Sequence, residues 1–394
     1  MTTIGSYNHT IPPGNMNDTN LTSIYKQSYD YNNNFQFKNV TTATSVNVPT
    51  YTFIKANIDT DNCVIIVCGG GWKTLVIEPE ISNAVEYWKT QNVNIYVLFY
   101  RTPILDNKES HPYDITNYYN MNAYPFLLLY DLDNMVKIVK QAYPFGKLGL
   151  NGFSAGGNTV SVYASIITYN YDIMRDINFI VNETHNNINL PFPSTNFMNF
   201  INKYSDGNYP QARPNQQIDF LLLMYSVVDL TIPQKKPIPV FLDSISPHNC
   251  IYPLTLLYSS KLFKDGVSDP LTSSGTMSMI TRNYPPTYFV SSSDDPFIPL
   301  SIGNVYCQNL LKNNIPIYRQ LYPKGGHGFG LGYCFDSQAK YPLNLYPYKF
   351  FERTIQKNYI NTKLSEWFNL PTNPPISPNP ISFNEFLKNI LFKR

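Results

Sequence analysis

The sequence is poor in charge. Its 29 basic and 27 acidic side chains make up only 14% of 394 residues and leave a net charge of +2. Neutralising phosphates needs a basic surface, so this balance argues against nucleic acid as a partner, and it offers nothing to attract the chain to an anionic membrane. Cysteine is scarce as well: five residues (Cys63, Cys68, Cys250, Cys307, Cys334), odd in number and without the spacing of metal ligands. That usage predicts reduced thiols in a cytosol-like compartment and no metal site. Long hydrophobic runs are missing. The longest, Phe220 to Tyr225 extending to Val228, is about nine residues, where a membrane helix needs roughly 20. The N-terminal Met1-Thr-Thr-Ile-Gly-Ser-Tyr7 has neither the basic nor the apolar region of a signal peptide, so a cytoplasmic location is expected. The sequons at Asn8, Asn17, Asn20, Asn39 and Asn182 are read as chance products of an asparagine-rich composition.

What the chain does have is a hydrophobic fraction of 43%, enough for a sizeable core and too much for general disorder. The length permits two or three domains, or one large α/β domain with insertions. Residues 1–45 are polar and Asn/Thr-rich and are expected to form a loosely structured arm. From 46 to 368 strands and helices alternate. Strands are expected at Cys63–Val67, Ile95–Phe99, Lys147–Asn151, Asp219–Val228, Thr287–Ser291 and Ile317–Tyr322. Helices are expected near Ile81–Thr90, Tyr124–Gln141, from Ala155, and at Leu300–Lys312. β-branched runs bounded by helical stretches argue for a doubly wound parallel sheet. Residues 170–217 and 231–282 are long and weakly patterned, and loops of this length inside an α/β domain are usually lids, binding loops or disordered insertions. Residues 369–394 comprise a Pro-rich linker and a short helix with the capping box Ser382-Phe-Asn-Glu385.

The central motif is Gly152-Phe-Ser154-Ala-Gly156, between an expected strand and an expected helix. A nucleophile elbow requires this arrangement, because a serine on a strained turn needs small residues two before and two after. Such a match is rare by chance in a chain with only 19 glycines. A serine hydroxyl needs a base, and His327 in Gly325-Gly-His-Gly328 follows the last expected strand. The other histidines, His9, His111, His185 and His248, sit in the polar arm or in loops rich in Pro or Asn and are read as exposed. An orienting carboxylate is available in Asp294-Asp295-Pro-Phe-Ile-Pro299, after the strand Thr287–Ser291. The order Ser154, Asp295, His327 is the one α/β-hydrolases use. Gly69-Gly-Gly71, after the strand Cys63–Val67, can offer backbone N–H groups to a tetrahedral oxyanion together with that of Ala155. It lacks the Gly-Lys-Ser/Thr continuation of a phosphate loop.

With these motifs in order, the chain resembles the HGGG-type esterase/lipase group of the α/β-hydrolase superfamily, and acetyl and acetylxylan esterases within it. The matching stretches are Val64–Trp72, Tyr96–Arg101, Gly149–Gly157, Pro285–Val290, Asp294–Pro299 and Tyr322–Gly330, spanning roughly residues 46–335. The resemblance implies an α/β-hydrolase fold with a mostly parallel sheet and helices on both faces. It also implies Ser154 as nucleophile, His327 as base, Asp295 in preference to Asp294 as orienter, and Gly70, Gly71 and Ala155 as oxyanion donors. Trp72 is a candidate substrate-binding residue. Cys68 stands where many members carry the histidine of His-Gly-Gly-Gly. The activity implied is hydrolysis of a short-chain acyl ester of a small molecule, without metal or organic cofactor. Two alternatives stay open: a catalytically silent hydrolase fold used for binding or as a scaffold, and a serine peptidase resembling the prolyl-oligopeptidase group. The sequence does not specify the oligomeric state.

Overall fold

The computed structural model of the chain describes residues 25–26, 42–44, 49–71, 74–89, 91–101, 125–186, 199, 217–228, 279–322, 325–330, 333–334 and 343–344. The strands among them are β1 (Tyr25–Lys26), β2 (Thr42–Thr44), β3 (Thr50–Ile54), β4 (Cys63–Val67), β5 (Thr74–Val76), β6 (Asn94–Phe99), β7 (Leu148–Phe153), β8 (Phe220–Met224), β9 (Thr287–Ser292), β10 (Ile317–Tyr322), β11 (Tyr333–Cys334) and β12 (Leu343–Asn344). The helices are α1 (Ser82–Lys89), α2 (Pro125–Ala142), α3 (Ser154–Tyr169), α4 (Tyr171–Asn186) and α5 (Leu300–Lys312), and a wide turn over Ile77–Ile81 leads into α1.

Eight strands form one sheet in the order β1-β3-β6-β4-β7-β8-β9-β10. All neighbours run parallel except β3 and β6. This is the strand order of the α/β-hydrolase fold, and the expected fold class holds. Burial explains the composition of the strands. Every residue of β4, β6, β7, β8 and β9 is buried, as in a sheet covered on both faces. β3 alternates between buried and half-buried positions. From β4 the chain moves outward to β6 and then returns to β7 on the other side of β4. Right-handed crossovers therefore place α1 on the face opposite α2, α3 and α5.

The reversal also creates a topological switch point between β4 and β7, where Val67 lies opposite Gly152. Ligands of open α/β sheets bind outside the carboxyl ends of the strands at such a point. There β4 leads into Gly69–Gly71 and β7 into Ser154. The turn after β9 carries Asp294 and Asp295, and the loop after β10 carries His327.

Three expectations need correction. Residues 171–186, expected within a long loop, form α4, because Ile173, Met174, Ile177, Ile180 and Val181 bury one helical stripe despite the asparagines between them. The strand expected over Asp219–Val228 ends at Met224, since Tyr225 turns to a positive φ of 37°. Within the arm, Tyr25–Lys26 pairs with β3 and Thr42–Thr44 with β5. Most of residues 231–282 and all of 369–394 lie outside the described residues.

A buried ion pair joins the end of β6 to α2. The Arg101 side chain is 3% exposed and that of Asp131 fully buried. Arg101 directs its Nη2, its Nε (3.1 Å) and its backbone N–H (3.0 Å) at the Asp131 carboxylate and stacks on the Tyr130 ring. Asp131→Ala leaves the guanidinium buried without its counter-charge, and is expected to cost about 3–5 kcal/mol. Urea denaturation measures this; a loss under about 1 kcal/mol would mean that water reaches Arg101 freely.

Candidate active site

Ser154 is the first residue of α3 and has φ of +47°, the left-handed conformation that side chains adopt only where the surroundings compel it. The surroundings here are backbone. A Cβ on Gly156 would lie 2.3 Å from the carbonyl oxygens of both Val67 and Cys68, and one on Gly152 would lie 2.6 Å from Cα of Gly157. A side chain on Gly157 would collide with Ser226 at 1.8 Å. Each small residue of the motif thus removes a specific clash, and the turn can pack directly against the end of β4. Ser154 is buried, with 8% of its surface exposed.

The structure brings the three sequence-predicted polar residues together. His327 Nε2 is 2.9 Å from Ser154 Oγ, and His327 Nδ1 is 2.8 Å from Asp295 Oδ2. The Asp295 side chain is 1% exposed and that of His327 10%. Asp295 Oδ1 accepts the backbone N–H groups of Phe297 (2.8 Å) and Ile298 (2.9 Å), which fixes the carboxylate and leaves Oδ2 to the imidazole. Since an ionised carboxylate only accepts, the N–H sits on Nδ1 and the Nε2 lone pair faces the serine hydroxyl. The rings of Tyr225 and Phe297 meet the imidazole edge-on at 4.8 and 5.3 Å.

Asp294 does something different. Its Oδ1 accepts the Gly326 N–H at 2.8 Å, while Ser292 Oγ donates to the Gly326 carbonyl at 2.5 Å. The backbone N–H and carbonyl of Gly326 are therefore both held from the end of β9 and the turn after it, and the neighbouring histidine with them. The glycines around it have positive φ: Gly326 59°, Gly328 78° and Gly330 56°. Only a glycine-rich loop can turn so sharply without strain. Of the other histidines, His9, His111 and His248 lie outside the described residues, and His185 lies in the last turn of α4.

The glycine run abuts the elbow. A Cβ on Gly69 would stand 2.8 Å from the Ser154 Cβ and 3.0 Å from the Phe153 carbonyl. Gly70 and Gly71 have φ of 125° and 61°, and Ala155 follows the serine at the start of α3, where unpaired N–H groups gather. Trp72 lies outside the described residues. Cys68 is buried, its thiol pushed well up by burial first and then by Glu80. Its carbonyl accepts the Tyr100 hydroxyl at 2.9 Å. The Gly69 N–H goes to Glu80 Oε2 at 2.5 Å.

Glu80 and Tyr225 were not singled out from the sequence. Glu80 sits in the turn before α1, where one acidic residue in a helical stretch carries no signal. Tyr225 closes an apolar run that reads as unbroken strand. Burial pushes the Glu80 carboxyl up to about 7, against the hydrogen bonds from Gly69 and Tyr225 that favour its charged form. Among the described residues no cluster of His, Cys, Asp and Glu is arranged to hold a metal, and no helix is long and apolar enough to cross a membrane.

No protein-family profile and no curated protein sequence matches the chain. Among solved structures it is similar to an acetyl ester-xyloside bifunctional hydrolase from Caldicellulosiruptor lactoaceticus, with 16% identity over 72% of this chain and 80% of that one and a TM-score of 0.40. It is similar in the same measure to a carboxylesterase from Lactobacillus plantarum, again at 16% identity, 72% and 80% coverage and a TM-score of 0.40. A thermophilic esterase from Thermogutta terrifontis matches at 14% identity over 81% of this chain and 89% of that one, with a TM-score of 0.42.

The raised Glu80 carboxyl has a consequence for stability. Between about pH 4.5 and about 7 the unfolded chain has released this proton while the folded chain retains it, so folding weakens as pH rises through that window. Glu80→Gln removes the titration. The difference in unfolding free energy between the variant and the wild type should shift in the variant's favour by on the order of 3 kcal/mol across that window. Urea titrations at both ends check this; a difference independent of pH would mean the carboxyl is not held in the protonated range.

Proposed function

We propose that the protein is a serine hydrolase that cleaves a carboxylic ester through an acyl-enzyme intermediate. The observation that carries this reading is the continuous hydrogen-bonded line from Asp295 through His327 to Ser154, at 2.8 and 2.9 Å, ending on a serine held at positive φ at the switch point of the sheet.

Chemistry follows from the donor directions. Ser154 Oγ attacks the ester carbonyl as its proton passes to His327 Nε2. The imidazolium that forms is held by its Nδ1–H to Asp295, whose carboxylate stays ionised. Negative charge gathers on the former carbonyl oxygen, and the backbone N–H groups of Ala155, Gly70 and Gly71 are the donors assigned to it, each worth about 2.7–4 kcal/mol in comparable sites. Collapse of the tetrahedral species breaks the C–O bond, and the leaving alcohol takes the proton from Nε2. Water then enters, gives a proton to the same nitrogen and attacks the acyl carbon. Expulsion of Ser154 Oγ, which recovers its proton, releases the acid. Each residue ends where it began, and no step calls for a metal or organic cofactor.

A short acyl group on a small alcohol is the substrate class that the sequence resemblance implies. A panel of p-nitrophenyl esters from acetate upward tests both parts: turnover is expected to be fastest with acetate or butyrate and to vanish in Ser154→Ala. Equal turnover by wild type and variant would sink the assignment. Cleavage of a peptide amide without ester turnover would favour the peptidase reading, and a folded protein with neither activity the silent one. The two aspartates make a sharper test. Asp295→Asn presents an amide to Nδ1 and disturbs the tautomer, with an expected loss in kcat on the order of 10³-fold or more. Asp294→Asn retains an oxygen acceptor for the Gly326 N–H and should lose no more than about tenfold. Reversed sensitivities would move the orienting role to Asp294.

A further inference from the structure

Two buried side chains with no part in the chemical steps stand between the two loops that the steps require. Glu80 reaches one loop directly: its Oε2 accepts the Gly69 N–H at 2.5 Å. Its other oxygen, Oε1, accepts the Tyr225 hydroxyl at 3.0 Å. That hydroxyl oxygen accepts the N–H of Gly330, at the far end of the histidine loop, at 3.1 Å. The tyrosine ring lies edge-on to His327 at 4.8 Å and to Phe329 at 4.6 Å. We propose that Glu80 and Tyr225 act as a paired positioning unit that ties the Gly69–Gly71 loop to the Gly325–Gly330 loop, so that oxyanion donors and histidine are set in one frame.

Three features support a unit rather than two separate contacts. Both oxygens of one carboxyl are engaged: with Glu80 ionised, Gly330 N–H donates to Tyr225 Oη, whose proton goes to Glu80 Oε1, and Gly69 N–H donates to Oε2. Tyr225 is held at φ of +37°, a genuine outlier for a bulky residue that persists only where several contacts determine it together. Its backbone N–H is pinned to the Val290 carbonyl at 2.7 Å, and its hydroxyl by the two bonds above. Finally, Glu80 is 2% exposed, and burying its charge weakens folding rather than strengthening it. The ionisable groups facing the carboxylate among the described residues are Cys68, Tyr100 and Tyr225, all neutral, with Asp295 beyond Tyr225.

The substitutions that separate these contacts are mild. Tyr225→Phe keeps the ring against His327 and Phe329 and deletes only the hydroxyl. Glu80→Gln keeps the shape but puts an amide NH2 where one of the two acceptor oxygens stood, so either Tyr225 or Gly69 loses its acceptor. The experiment compares wild type, both single variants and the double variant at about pH 8, where Glu80 is ionised. It reads kcat and KM on p-nitrophenyl acetate, the thermal midpoint, and hydrogen exchange of the peptides covering both loops. Each single variant is expected to lower kcat about tenfold or more with KM within about threefold, and the double variant to fall no more than about twofold below the slower single. Exchange should quicken in both loops in either single variant, and the midpoint of Glu80→Gln should not fall. Losses that multiply in the double variant, quickened exchange confined to the loop next to the substitution, or activity that merely follows the thermal midpoint would each overturn the proposal. The kinetic part rests on the serine-hydrolase reading and the exchange part does not. If wild type hydrolyses no ester, that reading fails and exchange alone decides the coupling: loosening of both loops supports it, and loosening of one refutes it.

Discussion

The candidate site depends on how closely three stretches of backbone pass one another around Ser154. An added methyl group would lie 2.3 Å from the β4-end carbonyl oxygens at Gly156 and 2.6 Å from Gly157 within the turn itself at Gly152, and at Gly157 it would meet the Ser226 hydroxyl after β8 at 1.8 Å. That proximity holds the serine at positive φ and brings the glycine run beside it.

Around this fixed point the remaining groups are held by specific hydrogen bonds to neighbouring backbone and side chains. Asp295 is locked by two backbone N–H groups of its own turn, and the histidine loop is gripped at Gly326 by Asp294 and Ser292 of the β9 end. Side chains whose geometry is set by such supports lose little freedom on reaching the transition state. The glycine run is braced by Tyr100 at the Cys68 carbonyl and by Glu80 at the Gly69 N–H. A cysteine at position 68 is therefore compatible with an anchored loop, because the anchoring comes from other side chains.

How much of this could be read from the sequence follows from burial. β4, β8 and β9 are buried on both faces, so their continuous β-branched and apolar runs announce them. β3 is fully buried on one face only, and two of its three buried positions are threonines (Thr50, Thr52, Ile54), so no continuous apolar run marks it. In α4 the buried stripe of Ile173, Met174, Ile177, Ile180 and Val181 is diluted by intervening asparagine and aspartate. The serine, the histidine and the aspartate pair were legible because glycines and prolines mark the turns that carry them. Which aspartate faces the imidazole was not derivable from the residues alone, since adjacent residues point in different directions and only the fold decides between them. Glu80 and Tyr225 were invisible for another reason. Their pairing joins positions 145 residues apart, and Tyr225 departs from strand geometry at the end of a run that gives no local sign of it.

The central claim is that Ser154 is activated by His327 and Asp295 within a folded α/β-hydrolase scaffold, and covalent labelling with a fluorophosphonate probe, located by peptide mass spectrometry, tests it most directly. The account predicts a single modified residue, Ser154, with labelling strongly slowed in His327→Ala and absent in Ser154→Ala while both variants remain folded. Labelling at another serine, or none at all on the folded wild-type protein, would contradict it.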